Sequence, residues 1–119
     1  MDATRKVLAF SAAVEGATGL ALVVVPAVVT RLLLGDDLPA LGSIVARCFG
    51  IALVALSLAV WPGVVQVAQA ARAMLLYNTG LAIYLAWLGT AGQAGGPALW
   101  PAAIVHALIA ILLARPATA

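Results

Sequence analysis

Between Ala73 and Ala114 the chain carries no formally charged residue. A helix crossing a bilayer core of about 30 Å needs roughly 20 apolar residues, so this run is too long for one crossing and must fold back. The break falls at Gly89–Pro97, where four glycines and a proline predict an exposed tight loop. Two more charge-poor stretches come earlier: Val7–Val29, interrupted only by Glu15, and Cys48–Ala71. Charged residues make up 8% of the chain and hydrophobic ones 66%, whereas soluble domains carry about 25% charged residues. A soluble fold of 119 residues could not solvate such a surface.

These features predict an all-α integral membrane protein, a single domain of four transmembrane helices in an up-down bundle. The spans fall at about residues 7–29, 43–61, 70–88 and 98–114. Asp2 or Thr4 caps the first helix. Pro26 lies late in that span, which membrane helices tolerate. A signal peptide is the competing reading of Val7–Val29. The segment is too long for the usual apolar region and holds an acid at its middle, so it reads as a retained helix. Gly35-Asp36-Asp37-Leu38-Pro39 is a turn, Pro62–Ala71 a connector, and Arg115-Pro116 ends the last helix.

Three tryptophans, Trp61, Trp87 and Trp100, sit at span ends, as in an aromatic belt. Four spans place both termini on one side, together with Arg5, Lys6, Arg72 and Arg115. The excess of basic residues there predicts cytoplasmic termini. The net charge of +2 is small and scattered, which excludes nucleic acid as a partner. The lone Cys48 cannot form an internal disulfide and reads as a buried thiol.

The polar residues within the spans are the candidate site. Ser11, Glu15, Thr18 and Leu22 share a helical stripe, flanked by Ala12 and Gly19. Small and hydroxyl residues mark a face that meets another helix, so Glu15 is expected to face protein rather than lipid. Counting about 1.5 Å of rise per residue places Glu15, Asn78 and His106 near the midplane. Arg47 falls roughly 6–8 Å toward the outer side, near Tyr84. Glu15 is then a proton-coupled or substrate-binding carboxylate, or one held by Arg47, Asn78 or a serine. Arg47 clamps an anionic group or snorkels. His106 is a packed, hydrogen-bonded histidine, and Asn78 is interhelical glue. Tyr77 and Tyr84 line a cavity or pack. Gly42, Ala46 and Gly50 form a ladder of small residues suited to close helix contact. No metal-ligand spacing, cofactor motif or enzyme motif appears. Asp36 and Asp37 read as a solvated loop.

Two resemblances follow from these residues. Glu15-Gly16-x-x-Gly19-Leu20, then Pro26, then Val45-Ala46-Arg47-Cys48-Phe49-Gly50-Ile51-Ala52-Leu53, resembles small four-helix bacterial membrane proteins of the DoxX-like kind. That resemblance implies the architecture, a place in the inner membrane of a bacterial cell, and a non-enzymatic role as a subunit or accessory of a larger membrane assembly. The single acid in the first helix of a short four-helix chain is similar to the small multidrug-resistance exporters. It implies a homodimer that exchanges protons on Glu15 for hydrophobic or cationic solutes. Arg47 and His106 depart from that second pattern, as does the lack of a glycine-rich packing motif in the third helix. A third expectation is lipid or quinone binding between Arg47, His106 and the tyrosines.

Overall fold

The computed structural model describes residues 2–63 and 66–115. Val64 and Val65 of the predicted connector, and Pro116 with the tail after it, lie outside the described residues. Among the described residues there are five helices: α1 (Ala3–Val24), α2 (Pro26–Leu34), α3 (Ala40–Ala59), α4 (Val67–Thr90) and α5 (Leu99–Ala114). α1, α3 and α4 are long and apolar enough to cross a membrane; α5 is apolar but shorter, at 16 residues.

The first predicted span is therefore two helices. Pro26 is the cause. The residue before a proline is pushed out of the helical region by the pyrrolidine ring, and Val25 adopts φ −134°, ψ 61°. The Val25 N–H closes the last turn of α1 on the Ala21 carbonyl at 2.7 Å. Pro26 then opens α2 at the first helical position, where its missing N–H costs nothing. At the other end of α1, the Asp2 carboxylate accepts from the Arg5 N–H at 2.8 Å and caps the helix as expected.

α1 and α3 form one antiparallel pair. Gly19 and Gly50 meet backbone to backbone: a Cβ on either would lie 2.7 or 2.6 Å from the other's carbonyl oxygen. The Ser57 hydroxyl donates to the Ala12 carbonyl at 2.6 Å, two turns further along. Of the predicted ladder of small residues, Gly50 makes this approach and Gly42 does not. A Cβ on Gly42 would meet Leu38 of its own chain segment instead. α4 and α5 form the second antiparallel pair, which closes where Trp100 packs over Gly89. α1 joins the two pairs, running alongside α4 and opposite to α5, so α1, α3, α4 and α5 alternate in direction along the chain. The molecule is flattened, 48 × 28 × 16 Å.

The core divides by height. One apolar cluster holds Leu8, Ala12, Val60, Ala70, Met74 and Ile109, toward the start of α1 and the end of α5. A smaller one holds Leu85, Leu99 and Ala103 at the opposite end. Between them lies a polar layer.

The loop over Gly89–Pro97 is not the fully exposed turn the sequence suggests. Gly92 (φ +71°) and Gly95 are exposed, but Gly96 is buried. The Gly95 N–H donates to the Leu34 carbonyl at 3.0 Å, and the Ala98 N–H to the Leu32 carbonyl at 2.7 Å. The last carbonyls of a helix have no partner within it; here the α4–α5 loop supplies two. A Cβ on Gly96 would collide with the Leu32 carbonyl, so only glycine permits this docking.

Candidate functional site

The polar layer brings three helices together. Asn78 on α4 is fully buried, and its amide Nδ2 donates to the Met74 carbonyl at 2.7 Å and to the Ser11 hydroxyl of α1 at 3.3 Å. A backbone carbonyl can only accept, so the amide orientation is fixed. Asn78 Oδ1 is then the acceptor facing His106 Nδ1 of α5, 2.7 Å away. That contact requires a proton on Nδ1 and defines the tautomer of the neutral imidazole. The sequence expectations for Asn78 and His106 agree with this geometry: each bonds across helices.

Glu15 lies beside this chain of bonds without entering it. Its side chain is 1% exposed, as expected for an acid facing protein. Oε1 is 3.9 Å from His106 Nδ1, whose hydrogen is already given to Asn78. Among the described residues neither carboxyl oxygen has a hydrogen-bond partner. Tyr77 directs its phenol toward the same carboxyl but outside hydrogen-bonding geometry, and its ring stands edge-on to His106 at 6.0 Å. An unpartnered buried polar group costs on the order of 1–3 kcal/mol. A charged one costs more, because surrounding dipoles do not replace its lost hydration.

The arrangement can hold a proton on Glu15, or form a Glu15–His106 ion pair once the imidazole carries two protons and swings by about 1 Å toward bonding distance. Among the described residues no group of three His, Cys, Asp or Glu side chains is placed to hold a metal ion.

Other candidates lie elsewhere. Arg47 is exposed and makes no ion pair among the described residues, so it does not hold Glu15. The Gly19–Gly50 contact explains why: in the antiparallel pair Arg47 is level with Leu22, less than a turn from where α1 stops. Helical side chains lean toward their own N-terminus, which carries Arg47 past the end of α1. Cys48 beside it is exposed, not the buried thiol expected. Tyr84 points outward and stacks on Trp87 at 6.0 Å. Thr18 turns its hydroxyl back to the Val14 carbonyl at 2.8 Å and adds nothing to the cluster. In the α2–α3 turn, Asp37 pairs with Arg31 at 2.9 Å.

No family model, curated protein or solved structure matches the chain.

Proposed function

We propose that this chain is a small non-enzymatic multi-pass membrane protein, spanning a bacterial inner membrane with α1, α3, α4 and α5, both termini in the cytoplasm, and serving as a subunit or accessory of a larger membrane assembly. The likeness of the segments at Glu15–Leu20 and Val45–Leu53 to DoxX-like proteins is part of the same proposal. The observation that carries it is the outward face of α3. This helix packs on α1 through Gly50 and Leu53 and leaves Leu41, Ile44, Val45, Arg47 and Ile51 uncovered. An arginine on an otherwise apolar outward face is costly in lipid, and a partner helix bearing an acid relieves that cost. The orientation rests on Arg5, Lys6, Arg72 and Arg115 gathering at one end.

Cys48, the neighbour of Arg47, provides the test. Thiol-directed crosslinking in intact native membranes should give a Cys48-dependent adduct larger than the chain, which Arg47→Ala removes. A chain that stays a lone monomer, on crosslinking and on native gels alike, eliminates the accessory role.

The unpartnered Glu15 carboxyl favours a second reading, a proton-coupled transporter of hydrophobic or cationic solutes. Glu15 is enclosed by the chain's own helices, so a partner copy adds nothing to its surroundings as they stand. Its test is proton-driven solute uptake in proteoliposomes. Transport by Glu15→Gln with unchanged pH dependence eliminates it.

A further inference from the structure

A groove of about 410 Å³ runs between α1 and α5 on the outer surface, away from the polar layer. It lies at the lower end of ligand-sized pockets, roughly 300–1,000 Å³. Phe10, Val105, Leu108 and Leu112 form its walls, and Lys6 stands at one end, the single charged lining residue among the described ones.

Helix register shows what surrounds that end. Counting along antiparallel α5 from the approach of Glu15 to His106, Arg115 is level with Lys6. Counting back along parallel α4 from the Ser11–Asn78 bond, Arg72 is level with Arg5. Four basic side chains thus share one end of the molecule. Of the chain's four acids only Asp2 is there, capping α1 and paired with Arg5 at 3.8 Å. Lys6, Arg72 and Arg115 are exposed and have no acid partner among the described residues.

We infer that this groove is a binding site for an anionic phospholipid, with one acyl chain along Phe10, Val105 and Leu108 and the phosphate headgroup on Lys6 and Arg115. The groove follows the helix axes, as an acyl chain in a bilayer does. From Val105 to Leu112 it is roughly 10 Å long at 1.5 Å rise per residue, a length that takes the headgroup-proximal part of a chain. The charge at its mouth selects among lipids: basic side chains near the surface favour anionic headgroups, about five-fold for each. The assignment rests on the membrane-spanning reading above.

The test is native mass spectrometry of the full chain from nanodiscs of equal phosphatidylglycerol and phosphatidylcholine. The wild type should retain one phosphatidylglycerol, enriched about five-fold or more over phosphatidylcholine. Lys6→Gln with Arg115→Gln should bring the ratio near one, and Lys6→Arg should preserve it. Leu108→Trp, on an exposed wall position, should abolish retention of either lipid with helicity unchanged by circular dichroism. Equal retention of both lipids by the wild type overturns the inference, as does enrichment that survives the double substitution. A dimer that Leu108→Trp dissociates also overturns it, by giving the groove to a second copy. A chain that inserts but shows no enrichment refutes the lipid site alone; one that fails to insert refutes the membrane reading with it.

Discussion

His106 Nδ1 lies 2.7 Å from Asn78 Oδ1 and 3.9 Å from Glu15 Oε1, so the imidazole is bonded to the amide and passes the carboxylate by. Asn78 settles this choice, because its other amide atom is held by the Met74 carbonyl and Ser11. One residue therefore ties α1, α4 and α5 together and sets the protonated nitrogen of the histidine.

Replacing Asn78 by Leu should remove that control. Unfolding in mixed micelles should show a loss of about 1–3 kcal/mol, the scale of losing buried hydrogen bonds with one partner left behind. ¹⁵N spectra of labelled histidine should show Nδ1–H as the neutral tautomer in the wild type and a mixture in the variant. An unchanged tautomer would mean that Asn78 does not orient the ring.

Glu15→Gln should leave the fold intact and raise its unfolding free energy by about 1 kcal/mol, because a neutral amide of similar shape is easier to bury than an unpartnered carboxyl. Unfolding of both proteins in the same micelles measures this. A loss of stability would reveal a favourable partner for Glu15.

The helix pair α1–α3 gives a contrast between glycines. Gly50→Leu must push the α1 backbone away and should cost about 3 kcal/mol or more. Gly80 has open space around its Cβ position, so Gly80→Ala should be neutral or stabilising by up to about 1 kcal/mol. Chemical unfolding of the two variants checks both, and equal effects would contradict the close approach at Gly19.

Much of the polar layer was legible from the sequence. Rise per residue placed Glu15, Asn78 and His106 at one height, and residues of neighbouring helices at one height meet where their faces agree. The hydroxyl and small residues around Glu15 gave its face. What surrounds Arg47 and Tyr84 was not legible in the same way. Their neighbours depend on where α1 ends and how α4 turns against α5, which are properties of the packed pairs rather than of one helix. The early end of α1 was itself signalled by Pro26. The rule that membrane helices tolerate proline hid it; here Pro26 starts a helix instead of bending one. The burial of Gly96 left no local trace, since its cause is the carbonyl of Leu32, distant in sequence.

At the α2 end, adjacent glycines should respond oppositely. Gly95→Ala meets nothing within 4 Å, whereas Gly96→Ala meets the α2 backbone. The first should be within about 0.5 kcal/mol of wild type, as surface changes usually are. The second should cost about 1–3 kcal/mol by overpacking. Amide exchange at Gly95 and Ala98 should quicken only in the Gly96 variant; equal protection in both would dissociate the loop from α2.

That joint is written almost entirely in main-chain atoms. The Leu32 and Leu34 carbonyls and the Gly95 and Ala98 amides would make the same bonds under many side chains. Related sequences are thus free to drift at those four positions and still keep the joint, provided position 96 stays glycine. What the joint asks of position 96 is the absence of a side chain, opposite a short helix that a proline begins.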